Sequence, residues 1–208
     1  MAKLPNPPDV HELRRHSPAV HTVSTTDVLW RIHNTTGDHV TAWNALRHYG
    51  PVASCRFDPH PPPAGEHPDT GVLYTATDVP TALAECYQQT RIINTHRRNP
   101  YLTGFTLTRD AVLLDLTGAW PIRIGASHTI NTGPTDRTRT WTRALLAAWP
   151  NTDGLLSTSA LTGQPCITLL TPATDALPHT PAFSEPLNHP GLAAPLATAA
   201  HHIRYRIL

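Results

Sequence analysis

The segment GVLYTATDVPTALAECY, residues 71–87, constrains the fold more than any other stretch of this 208-residue chain. VLYTAT predicts the clearest strand, Asp78 predicts a helix N-cap, and Pro80 is tolerated in a first helical turn, so a helix follows at once and is expected to run to about Ile93. In that helix Val79, Leu83, Cys86 and Tyr87 form an apolar stripe, and Glu85 shares the other side with Thr81, Gln88 and Gln89. The turn therefore carries Tyr74, near the end of the strand, and Glu85, within the helix, toward one cleft. An aromatic ring and a carboxylate so placed suit a ribose held beside a planar leaving group.

Around this block the remaining elements are predominantly strands. VLWRIHN has strand character, with Leu29, Arg31 and His33 on one face and Trp30 and Ile32 on the other. Thr41–Tyr49 is expected as a short helix or turn, ASCRF as a brief extended piece, and DPHPPPAGEHPDTG as a loop too proline-rich for regular structure. YLTGFTLT and AVLLDL are expected as two strands joined at an Arg109–Asp110 turn, and DRTRTWTRALLAAW as the second strong helix. GLLSTS and PCITLL then give short strands, and a proline-rich run from Thr171 to Pro195 leads to a final strand in HIRYRI. Strands outnumber helices without alternating with them, so the fold class is α+β in a single domain, residues 26–208. Residues 1–25, with a helical turn around Val10–Arg15, are expected as an N-terminal arm.

Charge and composition exclude several function classes. With 16 Lys+Arg against 15 Asp+Glu the formal charge is +1, which gives no basic field for a nucleic acid. Lys3 is the only lysine, so the folded region has none to serve a P-loop, a PLP enzyme or a Schiff-base aldolase. Its cations are arginines, which grip carboxylate and pyrophosphate in bidentate fashion. The same composition matches coding bias in a GC-rich bacterium, and the exclusions hold under either explanation. Cys55, Cys86 and Cys166 lack CxxC spacing and form neither a disulfide framework nor a zinc site. The 14 histidines include no HxxxH helix and no His-carboxylate cluster, so no metal is expected. The start carries no secretory apolar run and no stretch approaches a membrane helix, so a cytoplasmic protein is expected. GxGxxG and GxSxG motifs are absent.

Five residues stand out in chain order: Arg31, Arg56, Tyr74, Glu85 and a serine of GLLSTSALTG, either Ser157 or Ser159. Singly, each has an ordinary structural use as an edge-strand arginine, a core tyrosine, a solvated helix glutamate or a loop serine. In order, they resemble the RES family, named for its Arg, Glu and Ser, whose members are toxins paired with Xre-like antitoxins. The Tyr74–Glu85 block is similar to the family's strand with Tyr, short turn, and helix with Glu eleven residues later. CRFDP resembles the second arginine motif, with Phe57 and Asp58 where Trp-Asn is usual and a longer loop from Asp58 to Thr70. WRI supplies the first arginine and DGLLSTSALTG the serine-bearing strand. The resemblance covers roughly Val28 to Leu170.

It implies an ADP-ribosyltransferase-like fold, with two small β-sheets and flanking helices about an NAD cleft. NAD would be the substrate consumed, by hydrolysis, by phosphorolysis or by ADP-ribosyl transfer to a protein, with a catalytically idle binding module as the alternative from another class. Glu85 would stabilise the oxocarbenium-like state, Arg31 and Arg56 would hold pyrophosphate or ribose, Tyr74 would stack on nicotinamide, and Ser159 or Ser157 would hydrogen-bond ribose or amide. An Xre-like protein antitoxin is the expected partner, with no direct nucleic-acid or membrane binding, and self-association is left open.

Overall fold

The computed structural model describes residues 4–38 and 40–208, so the first three residues of the expected arm lie outside it. In chain order the elements are α1 (Val10–Leu13), β1 (Val20–Val23), β2 (Leu29–Asn34), β3 (Tyr49–Gly50), β4 (Gly65–Glu66), β5 (Val72–Ala76), α2 (Val79–Cys86), β6 (Ile92–Ile93), β7 (Pro100–Phe105) and β8 (Ala111–Asp115). They are followed by α3 (Trp120–Arg123), α4 (Thr135–Ala148), β9 (Gly154–Thr158), β10 (Pro165–Leu170), β11 (Phe183–Pro186), α5 (Ala193–Ile203) and β12 (Arg206–Ile207). This is an α+β chain built on one eight-stranded sheet, ordered β1-β8-β9-β10-β5-β2-β7-β11, with two small two-stranded sheets, β12-β6 and β3-β4.

The large sheet is two halves held by a thin seam. β5 and β2 share one antiparallel pair, Trp30 opposite Ala76. Continuing that register would set Ile32 against Tyr74 and Asn34 against Val72, but Val72 bridges instead to Arg47, exchanging backbone hydrogen bonds of 2.9 and 3.1 Å. The inserted Arg47 segment takes the ladder positions β2 would have filled, and the two strands splay. One core crosses the seam, packing Leu73, Leu113, Ile167 and Leu169 of the β5 half with Leu29 of β2 and Phe105 of β7, while Leu102 and Ile93 pack with Leu196 and Ala199 of α5 beside β2. Trp30 lies across Gly104, where a Cβ would come within 2.7 Å of the indole, so the close approach of ring and strand requires glycine.

Several local expectations change on folding. The 71–87 block forms β5 and α2 with Asp78 as the cap, its Oδ1 accepting from Thr81 N at 2.8 Å and its Oδ2 from the Thr81 hydroxyl at 2.9 Å. The helix stops at Cys86, short of Ile93, because Thr90 Oγ1 and Ile92 bond locally and Arg91 turns left-handed at φ 53° to start β6. Thr41–Tyr49 is turn and bridge, and ASCRF is turns, not an extended piece. β7 and β8 do not form a hairpin: β7 pairs with β2 and β11, and β8 with β1 and β9, one strand in each half. The final strand expected in HIRYRI is found but shortened to Arg206–Ile207, because α5 precedes it and runs on through Ile203. Ahead of the sheet, Leu4 and Leu13 enter the core, and the Trp141 and Trp120 indoles donate to Pro5 O and Ser17 O at 2.7 and 3.0 Å.

Candidate active site

The splayed seam opens into a cavity of about 890 Å³, within the range of small-molecule sites. Arg31, Arg56, Tyr74, Glu85, Ser157 and Ser159 all line it. The elements that deliver them are β2, the turn after Val52, β5, α2, β9 and the residue just beyond β9.

Glu85 and Ser159 meet directly. The Ser159 hydroxyl donates to Glu85 Oε1 at 2.6 Å and accepts from Leu161 N and Thr162 N at 3.1 and 3.2 Å. The serine is buried, and its lone pairs are held by the turn, so its proton is aimed at the carboxylate. Ser157 is buried and donates only weakly, at 3.4 Å, to Cys166 O within the sheet. Between the two candidate serines, Ser159 is the one joined to Glu85.

Arg31 reaches the cavity from β2 with no carboxylate partner among the described residues. Its Nη1 donates to Trp43 O at 3.2 Å and Ala45 O at 3.5 Å, the same inserted segment that splays the seam. Burial lowers its pKa to about 10, with Arg47 adding repulsion and Cys86 opposing the shift, so the guanidinium stays charged at neutral pH. Nearby His33 falls to about 4 through burial and the Arg31 charge and is neutral there. A half-buried cation satisfied by carbonyls alone is electrostatically short of an anion.

Arg56 donates to Gly133 O. Burial lowers its pKa and the Glu85 charge counteracts this, so Arg56 and Glu85 feel one another without forming an ion pair. Tyr74 contributes its ring to the cavity wall, and its hydroxyl is buried with no hydrogen-bond partner. Cys55 lies near that hydroxyl, but not in hydrogen-bonding geometry. Burial, then the charges of Cys55 and Asp58, push the phenol well above its usual pKa, so it is neutral. A buried hydroxyl left without a partner is one that a bound ligand could satisfy.

Sequence reasoning missed several contributors. Asn131 Oδ1 accepts from Thr158 N at 3.1 Å and its Nδ2 donates to Leu116 O at 2.9 Å, fixing the β9 end that presents Ser159. Arg97 and Arg98 also line the cavity. No spacing motif marks these three. Asp58, noted only as a departure from the arginine motif, is fully buried and accepts from Arg47 Nη2 at 2.9 Å, Val52 N at 2.8 Å and His60 N at 3.1 Å, with its Oδ1 2.5 Å from His60 Nδ1. It anchors the turn carrying Arg56. Among the described residues no group of three or more His, Cys, Asp or Glu is placed to hold a metal ion, and no helix is long and apolar enough to cross a membrane.

The family model for the RES domain matches residues 28–188. The chain belongs to the RES domain family. That match runs past Leu170, through β11, so the family's extent includes the outer strand beside β7. No curated protein matches the RES domain chain. In fold it is similar to a chain in the crystal structure of the M. tuberculosis MbcT-MbcA toxin-antitoxin complex, with a TM-score of 0.56 and 15% identity, over 91% of this chain and 96% of that one. The α+β fold expected from the sequence is thus found, with one large eight-stranded sheet beside the two small ones.

Proposed function

We propose that this RES domain is an NAD-consuming toxin that cleaves the nicotinamide–ribose bond. The observation that carries the reading is the 2.6 Å Ser159–Glu85 hydrogen bond in the cavity that also receives Arg31 and Tyr74. Breaking the glycosidic C–N bond sends its electron pair to the pyridinium nitrogen and releases neutral nicotinamide. The ribose is left oxocarbenium-like, and Glu85, held by Ser159, stabilises that charge. Water adding at the anomeric carbon gives ADP-ribose and a proton, and phosphate in the same position gives ADP-ribose 1-phosphate. Arg31 supplies the pyrophosphate with the anion-binding cation, Arg56 steadies the adjoining ribose, and the Tyr74 ring stacks on nicotinamide with its hydroxyl free to bond. Ser157 lies in the wall behind them.

In this reading residues 26–208 are the catalytic domain and 1–25 an arm packed onto it through β1, Leu4 and Leu13, in a cytoplasmic protein. An Xre-like antitoxin that covers the cleft is the partner, in keeping with the family and with the toxin-antitoxin complex that shares the fold. The test is purified protein with NAD, following dinucleotide loss and free nicotinamide together. Equal amounts of each without protein labelling support the reading. Labelled protein identifies an ADP-ribosyltransferase, and an intact fold with no turnover identifies an idle binding module.

A further inference from the structure

Among the side chains lining the cavity Glu85 is the single carboxylate, set against Arg31, Arg56, Arg97 and Arg98. The register of the strands places these groups along the cavity. Ser159 follows Thr158, which pairs with Pro165; the next residue, Cys166, faces Ala76, which faces Trp30. The Ser159–Glu85 pair therefore lies at the Trp30 end of β2. Arg98 lies at the opposite end, where its carbonyl accepts from Thr35 N and Thr36 N, both at 3.2 Å, just past Asn34. Trp30 to Asn34 spans about 13 Å at the rise of an extended strand.

The arginine end is built, not frayed. Arg98 and Asn99 are both left-handed, at φ 64° and 45°, a conformation that L residues with side chains seldom adopt. Their turn is held by Asn94 Oδ1, which accepts from Arg97 N at 2.7 Å and His96 N at 3.1 Å, and by Asn99 Nδ2, which donates to Thr35 Oγ1 at 2.7 Å. The Arg98 stem lies over Gly37. Neither guanidinium makes a hydrogen bond or ion pair among the described residues. The left-handed turn at Arg98 and Asn99 thus holds two exposed, unpaired guanidinium groups beside the cavity, where a bound anion would meet them.

We infer that Arg97 and Arg98 form a phosphomonoester site that selects a dinucleotide phosphorylated on its adenosine ribose, NADP, over NAD. The inference rests on the proposed function: with the reacting ribose at Glu85 and the pyrophosphate at Arg31, the adenosine ribose reaches the far end. A carboxylate there would favour a free 2′-hydroxyl and repel a phosphate, whereas arginine accommodates the phosphate. That end offers no carboxylate side chain and two arginines.

The test compares kcat/KM for NADP and NAD in wild type, Arg97→Ala/Arg98→Ala and Arg97→Lys/Arg98→Lys at low and physiological salt. The NADP/NAD ratio exceeds one in wild type, falls about tenfold in the alanine pair through KM, and recovers in the lysine pair, with a smaller effect at higher salt. A ratio that moves less than twofold overturns the inference while leaving NAD cleavage standing. A changed dependence of NAD consumption on inorganic phosphate with an unmoved ratio also overturns it, because the site would then serve free phosphate. If neither dinucleotide is consumed, the ratio of their dissociation constants by calorimetry decides on the same criterion. If neither binds, the inference falls together with the function beneath it.

Discussion

Two buried polar clusters lie a few residues apart in this molecule and are satisfied in opposite ways. Around Asp58 nearly every hydrogen-bonding group is matched within the chain: the carboxylate takes Arg47, Val52 and His60, and His60 Nε2 lies 3.0 Å from Thr70 O, leaving His67 Nε2, whose ring lies tilted against that of His60, as the exception. In the cavity the Arg31 charge meets carbonyls only and the Tyr74 hydroxyl meets nothing. The first cluster holds the turn that presents Arg56; the second leaves its capacity for a ligand. Buried polarity therefore separates into groups that maintain the fold and groups that wait for substrate, and each prediction below tests that division.

The largest effect is expected at Asp58. Replacing it with Ala leaves Arg47 and His60 without their acceptor and destabilises by about 3–5 kcal/mol, as loss of one partner in a buried pair does, which urea unfolding would read. Burial pushes the Asp58 carboxyl up, but hydrogen bonds from Val52 and His60 and the Arg47 charge outweigh it and hold the pKa below the usual range. A depressed folded pKa gives stability that is present above the unfolded value, about 3.9, and is lost as pH falls through the folded one. Wild type thus loses stability below about pH 4 more steeply than Asp58→Asn. Equal acid slopes would remove Asp58 from the matched class.

Glu85→Gln should leave the melting temperature nearly unchanged and reduce nicotinamide release about a hundredfold, on the order of 3 kcal/mol of transition-state stabilisation. Full activity in that variant would sink the proposed chemistry. Next in size is Ser159→Ala, which frees the Glu85 carboxylate to rotate and lowers kcat about tenfold. Ser157→Ala, which removes only the weak bond to Cys166 O, changes kcat less than the Ser159 variant does. The reverse order would exchange the two serines.

How far the site could be read from sequence depends on how local its causes are. The β5–α2 block was legible because Asp78 caps through a residue three positions on, and the alternation in LWRIHN placed Arg31 on a strand face. The choice between Ser157 and Ser159 was not legible, since it is made by Glu85, 74 residues away in the chain. The β7–β8 hairpin failed for a related reason: adjacency in sequence favours a hairpin, whereas the two strands complete different halves of the sheet. Helix α5 was hidden by its proline, although Pro195 sits in the first turn, where a missing N–H breaks no helical bond. Arg97 and Arg98 carry no motif in the sequence, and it is the backbone bonds from Thr35 and Thr36 to Arg98 that set them beside β2.

The smallest effect is the most pointed test, because it runs opposite to the usual outcome of a buried substitution. If Arg31 is a cation awaiting an anion, the free protein bears its desolvation with only carbonyl dipoles in return. Arg31→Met keeps the length and packing of the stem and removes the charge, and should stabilise the free protein by about 1 kcal/mol. In a chain of this size that raises the melting temperature by roughly 2–4 °C. Dinucleotide affinity should fall in the same variant, and added dinucleotide should raise the wild-type melting temperature but not that of the variant. A lower melting temperature for Arg31→Met would move Arg31 into the same class as Asp58, as a residue whose charge the fold itself requires.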